Sequence, residues 1–135
     1  MRISARGVIL HNKHILLIKR IKNERKYYVF PGGKPEGSES KEITCIREVK
    51  EETGLDVVPE KLIETIEESP DAKAVFLLCS LKKKLNGKLP ELEVLGDEIS
   101  KSTKRDFFKP VWIPFERVNS LTIYPKKVVE KLQLI

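Results

Sequence analysis

The sequence predicts an α/β domain: a mixed β-sheet flanked by helices. Three observations lead there. Residues 3–10 ("ISARGVIL") and 15–21 ("ILLIKRI") are apolar runs rich in β-branched side chains, as strands are. Residues 40–53 carry apolar side chains at helical spacing between a serine and a glycine suited to cap a helix. The later segments mix strand and helix patterns without strict alternation, which argues for a mixed sheet. The 135 residues suit one domain spanning 1–135, and the 40% apolar and 34% charged content is ordinary for a globular protein.

Taken in order, the first two strands are bridged by "HNKH", a tight turn. His11 and His14 are candidate metal ligands there, but no further ligand lies nearby in sequence, so exposed turn residues are the better reading. "YYVF" reads as a third strand, stopped by Pro31-Gly32-Gly33. A loop follows, then the helix over 40–53, with Ser38 or Ser40 at its N-cap and Gly54 as its left-handed C-terminal residue. "LDVV", "KLIETIEE" and "AKAVFLLCSL" read as strands, and Asn86-Gly87 signals a hairpin between "LKKKL" and "KLPELEV". "PVWI" is the last strand, followed by a short helix over 115–119. A final helix over 125–132 opens on proline, a tolerated first position.

Several classes fall away. No apolar run approaches the roughly 20 residues that span a bilayer. The first 20 residues are interrupted by His, Asn and Lys, so they lack a signal peptide's apolar core. The protein is expected to be cytoplasmic, with no membrane partner. Cys45 and Cys79 lack the paired spacing of a zinc site and read as buried packing residues in a reducing compartment.

The net charge of +6 is unevenly spread. Residues 36–71 hold 12 acidic and 4 basic side chains, leaving 22 basic and 8 acidic for the rest. An acidic island in a basic frame fits a metal site serving an anionic substrate. A solvated acidic helix beside ordinary surface lysines gives the same count, and charge alone does not separate the two.

The spacing of the acids is more informative. With Ile43 at zero on a wheel of about 100° per residue, Glu51, Glu48 and Glu52 fall near 80°, 140° and 180°. Cys45, Val49 and Ile46 fall near 200°, 240° and 300°, closing on Ile43. The helix is therefore expected to dock through Ile43, Ile46 and Val49 and to present three carboxylates together. Such crowding is unfavourable, more so near the negative C-terminal end of a helix. Arg47 can offset Glu51 and reach back to Glu39. One arginine cannot neutralise four carboxylates, whereas a hard divalent cation can, and all-oxygen ligands select Mg²⁺ or Mn²⁺ over zinc. Gly32-Gly33 permits close backbone approach and lets a carbonyl turn toward that cation.

These residues resemble the Nudix box of the Nudix (MutT-like) hydrolases. Gly33, Glu39, Arg47-Glu48-Val49, Glu51-Glu52 and Gly54-Leu55 match its spacing without a gap. "ILLIKR", "YYVFPGG" and "FFKPVWIPFERV" look like family segments outside the box. One departure is Gly37-Ser38 before Glu39, where many members place the glycine directly before that glutamate. The resemblance implies an α/β/α sandwich with a mixed central sheet. It implies Mg²⁺-dependent hydrolysis of a nucleoside diphosphate linked to another group, a small-molecule substrate rather than nucleic acid. Glu48 and Glu52 would be the main metal ligands, Glu51 would bind a metal or the activated water, and the Gly33 carbonyl would complete the site. Arg47 and Glu39 would hold loop and helix together. The general base is either a box glutamate or Glu98 in "LGDEIS", with Asp97 and Glu93 close behind; an ordinary surface acid is an equal reading of Glu98. Arg20 is a candidate phosphate contact, and Tyr28, Phe107 and Phe108 are candidates for stacking on a base, although core packing is the commoner use of an aromatic. Trp112 reads as core. Lys82 to Lys84 reads either as an anion attractor or as a guarded edge strand. Alternatives that stay open are a nucleotide-sensing module without turnover and a hydrolase of RNA 5′ ends. A homodimer is a family-level expectation.

Overall fold

The computed structural model describes residues 1–83, 87–95 and 106–134. Strands β1 (Arg2–His11) and β2 (His14–Lys22) form a hairpin, registered Leu10 to Ile15 and His11 to His14. Asn12 and Lys13 both take left-handed φ, 46° and 57°, as a two-residue hairpin turn requires. The strands β3 (Arg25–Val29) and β4 (Gly32–Gly33) follow, then helix α1 (Lys41–Thr53). Next come β5 (Val57–Ser69), β6 (Ala72–Leu81) and β7 (Asp106–Pro114). A 3₁₀ helix (Phe115–Ser120), β8 (Ile123–Tyr124) and α2 (Lys126–Leu132) complete the described elements.

The sheet runs β5-β6-β1-β2-β3-β8, with β4 also on β1 and β7 also on β2. It is mixed, as expected: β1 and β6 are parallel, β3 and β8 are parallel, and the other pairs are antiparallel. β1 serves two partners on one side. Its middle pairs with β4, Ala5 to Gly33 and Arg6 to Gly32, while its end pairs with β2. Two apolar clusters result. One contains Val8, Leu17, Tyr28, Phe30, Phe76, Ile113 and Val128; the other packs Cys45 and Val49 of α1 on Ala5, Ile9, Val75 and Leu77. Glu64 of β5 lies 3.7 Å from Lys127 and 3.6 Å from Lys131, which ties α2 to the sheet.

Four expectations need correction. "LDVV" and "KLIETIEE" are not separate strands; β5 is continuous and absorbs Pro59 through irregularities in its pairing with β6. "KLPELEV" is not a strand: residues 88–95 are irregular, and Glu93 and Leu95 donate to the carbonyls of Thr53 (2.9 Å) and Glu51 (2.7 Å) at the end of α1. β6 ends at Leu81, and Lys84 and Asn86 lie outside the described residues. Finally, α1 does not dock through Ile43, which is 52% exposed; its buried residues are Thr44, Cys45, Val49 and Thr53. The helix is rotated so that two threonines face inward. Their hydroxyls are satisfied locally, Thr53 Oγ1 donating to the Val49 carbonyl (2.7 Å) and Thr44 Oγ1 to Glu39 (3.0 Å). Satisfied hydroxyls remove most of the cost of burying a polar side chain.

Candidate active site

Helix α1 begins where Ser40 Oγ accepts from the Ile43 N–H at 3.2 Å. It ends at Gly54, whose φ of 80° lets its N–H return to the Lys50 carbonyl at 2.9 Å. The rotation of the helix puts Glu48 and Glu52 on the seam between α1 and β4, not on an open face. The Gly32 N–H donates to Glu52 Oε1 at 3.0 Å. At Gly33, a Cβ would meet Glu48 Oε2 at 2.7 Å, so the Glu48 carboxylate lies against bare backbone. Gly32 is as tightly held: its φ is 151°, and a Cβ there would fall 2.2 Å from the Ala5 carbonyl oxygen.

Arg47 joins the loop to the helix. Its Nε and Nη2 bind the two oxygens of Glu39 at 2.8 and 2.9 Å, a bidentate pair. Its Nη1 donates to Glu48 Oε1 at 2.8 Å and lies 3.4 Å from Glu51 Oε2, and Nη2 also donates to the Lys34 carbonyl at 3.0 Å. Glu36, with 73% of its side chain exposed, sits at 3.6 Å and is a marginal partner. Glu39 in addition accepts from the Glu36 N–H (2.8 Å) and from Thr44. Hydrogen bonding to Arg47 first, and then to the Glu36 backbone, holds the Glu39 carboxyl down to about 2. The same carboxylates push the Arg47 guanidinium above its ordinary range.

A cavity of about 440 Å³ opens beside the seam, with Glu48, Glu52 and Gly32 on one side and Arg6, Arg20, Lys34 and Phe108 also lining it. Arg6 Nη1 donates to the carbonyls of Phe30 (3.2 Å) and Gly32 (3.1 Å), supporting the glycine turn from β1. The Arg20 guanidinium lies 5.9 Å from the Phe108 ring centroid, and its buried Nε has no hydrogen-bond partner among the described residues. The expected residues Gly33, Glu39, Arg47, Glu48, Glu51 and Glu52 are therefore brought together, and Arg20 and Phe108 face the same space. Tyr28 does not. Its side chain is 5% exposed and belongs to the inter-strand core, because that face of β3 is covered. Glu98 lies outside the described residues, and the chain preceding it leaves from the last turn of α1 at Leu95. Sequence reasoning missed Arg6 and Lys34. A lone arginine inside the apolar run "ISARGVIL" was the available signal for Arg6.

Among the described residues, no three His, Cys, Asp or Glu side chains form a ready-made cluster for a metal. Arg47 draws Glu48 and Glu51 toward itself. The donors nevertheless suit a hard cation, since Glu48, Glu51, Glu52 and the Gly33 carbonyl offer oxygen only.

A family model for the NUDIX domain matches residues 1–132. The chain belongs to the NUDIX family. It is an enzyme, a Nudix hydrolase. A relative described as 8-oxo-dGTP diphosphatase, from Proteus vulgaris, is 34% identical over 91 residues, covering 62% of this chain and 81% of that protein. Among solved structures, a NUDIX hydrolase from Nitrosomonas europaea superposes with a TM-score of 0.67 at 18% identity, covering 98% of this chain and 86% of that one. An ADP-ribose pyrophosphatase from Streptococcus suis gives a TM-score of 0.62 at 22% identity, covering 98% and 87%. These structures share the α/β sandwich with its mixed sheet. Among the described residues, no helix of this Nudix hydrolase is long and apolar enough to cross a membrane.

Proposed function

We propose that this Nudix hydrolase is a metal-dependent pyrophosphohydrolase that cleaves a nucleoside diphosphate linked to another group by attack of water on phosphorus. The observation that carries the reading is the pair of carboxylates, Glu48 and Glu52, set against the Gly32–Gly33 backbone and lining one cavity together with Arg6, Arg20 and Lys34. Carboxylates beside cationic side chains suit an anionic substrate that binds together with a divalent cation. Gly33, Glu48, Glu51 and Glu52 would hold Mg²⁺, with Mn²⁺ as substitute, which when bound neutralises the diphosphate and lowers the pKa of water.

The chain's own residues do the rest. Arg20 lines the cavity and offers its guanidinium to a phosphate oxygen, and exposed Lys34 adds a positive charge. Arg6 keeps the glycine turn in place. Glu39, ionised through its contacts with Arg47, fixes that guanidinium and through it the Glu48 carboxylate. Glu51 is the more exposed of the two α1 carboxylates beside Arg47, at 34% against 14% for Glu48, and, as the alternative to ligating the cation, has the access to take a proton from the attacking water. Glu98 is the other candidate base. The names of the relatives, a diphosphatase and a pyrophosphatase of nucleotides, support the substrate class.

Release of phosphate or pyrophosphate from a nucleotide panel in Mg²⁺ tests the proposal. Glu52→Gln should lower turnover by about 100-fold or more, since one charged ligand is lost. No release from any nucleotide, or equal release from the variant, refutes it.

A further inference from the structure

Trp112, the only tryptophan of the chain, stands on β7 and does not line the carboxylate cavity. Its Nε1–H donates to the Pro90 carbonyl at 2.9 Å. Pro90 belongs to segment 87–95, which runs from the β1–β2 hairpin to the end of α1. At the hairpin, Asn12 Nδ2 donates to the Gly87 carbonyl at 2.6 Å and His11 Nε2 to the Lys88 carbonyl at 2.9 Å. At the helix, the N–H groups of Glu93 and Leu95 meet the carbonyls of Thr53 and Glu51. The segment presses close there, since a Cβ on Gly54 would lie 2.9 Å from the Glu93 carbonyl oxygen. The last four carbonyls of an α-helix have no partner within it, and the segment serves two of these. Cys45 and Val49 seat the body of α1 on β1, whereas the segment grips the backbone of the turn that carries Glu51 and Glu52.

We propose that Trp112 is a positioning residue for the hydrolytic reaction. By holding Pro90 it fixes segment 87–95 against the last turn of α1, and so sets Glu51 and Glu52 for the cation. The inference rests on the pyrophosphohydrolase reading, which assigns those two carboxylates to Mg²⁺. Helix ends fray, and a frayed turn moves its side chains even where the helix body stays docked. Backbone N–H groups at that end suppress the motion. They also offset the partial negative charge of the helix terminus, where carboxylates are least favoured. Trp112 supplies the anchor midway along the segment. The hairpin bonds lie at 87 and 88 and the helix bonds at 93 and 95, while Pro90, between them, has no N–H of its own. An indole N–H only donates, so the one polar atom of Trp112 is committed to this contact.

Trp112→Phe keeps an aromatic ring and deletes the N–H. In the cation-free protein, the amides of residues 51–54 should exchange with deuterium about three- to tenfold faster, the range that loss of one hydrogen bond spans. Those of Cys45 and Val49 should keep their rates. Mn²⁺ affinity, read by electron paramagnetic resonance, should weaken by a similar factor, and at saturating Mg²⁺ kcat should fall more than KM rises. Leu95→Pro removes the N–H that faces the Glu51 carbonyl and should reproduce these effects without touching the indole. Unchanged exchange at residues 51–54 in both variants, or a rise spread evenly along α1, overturns the positioning role. So does a Trp112→Phe protein that binds Mn²⁺ as tightly as the wild type. If exchange rises at the last turn but the wild type binds no Mn²⁺, the grip of Trp112 on α1 stands and the metal-dependent reading alone fails.

Discussion

Gly33→Ala should separate catalysis from stability at this site. The added Cβ would lie 2.6 Å from Glu48 Cδ and 2.7 Å from Oε2. Ordinary contact between such atoms is about 3.5 Å, so the carboxylate must retreat by about 0.8 Å. It can do so cheaply, because it is the free end of a flexible side chain, and the fold should lose less than about 1 kcal/mol. The reaction has no such tolerance: a misplacement of about 1 Å costs on the order of 100-fold in rate. Gly32→Ala is the contrasting case. Its φ of 151° disfavours a side chain, and its Cβ would strike backbone, the Ala5 oxygen at 2.2 Å and Arg6 Cα at 2.6 Å. Relief would pry β4 off β1, at about 3 kcal/mol or more. Phosphate release in Mg²⁺ and thermal unfolding by circular dichroism read both quantities. A Gly33→Ala enzyme that keeps its kcat within about threefold, or that unfolds as early as Gly32→Ala, would refute the placement of Glu48.

Two further outcomes follow from the Arg47 network. Arg47→Lys keeps the charge but loses the fork that grips Glu39 while reaching Glu48 and the Lys34 carbonyl. With only 20% of the side chain exposed, the loss should be about 2 kcal/mol, a fall in Tm of about 8 °C for a chain of this size; a shift under about 2 °C would contradict it. The second outcome concerns acid. Glu39 is depressed from 4.5 to about 2, so the stability it contributes is fully present above 4.5 and is lost as pH falls from 4.5 toward 2. Denaturant titrations across that window should show a flatter pH dependence for Glu39→Gln than for wild type, and parallel curves would exclude Glu39 as the group responsible.

The parts of the molecule legible in the sequence are those whose chemistry is local. The caps of α1, the hairpin at Asn12-Lys13 and the spacing of Glu48 to Glu52 depend on near neighbours, and each appears where the sequence puts it. The rotation of α1 was not legible. A wheel equates the apolar arc with the buried one, and here Ile43 is left exposed while Thr44 and Thr53 go inward with their hydroxyls bonded. Arg6 was hidden for a related reason. Strand alternation reports which side of the sheet a residue faces, not that a two-residue strand, Gly32–Gly33, pairs beside it. Short strands carry almost no periodic signal. Tyr28 and Tyr27 illustrate the limit at single-residue resolution, since adjacent rings point to opposite faces and only one is core.

The rotation of α1 and the geometry of the site have one physical origin. Gly7 of β1 faces α1, and a Cβ there would come within 2.9 Å of Val49 Cγ2 and 3.4 Å of Cys45 Sγ. A missing side chain at that point lets Cys45 and Val49 settle directly on the strand, both at 0% exposure. Glu48 and Glu52 flank Val49 one residue before and three after, so seating Val49 turns both toward the seam with β4. There the strand partner of Arg6, Gly32, supplies an N–H to Glu52, and Gly33 leaves room for Glu48. Had the helix docked through Ile43, Ile46 and Val49, the carboxylates would lie in open solvent, where their mutual repulsion is screened and a diphosphate meets no enclosing wall. Close docking instead forces negative charge into a cavity lined by Arg6 and Arg20, where each added positive charge is felt strongly. The apolar contact that stabilises α1 is thus also what concentrates the field on the site.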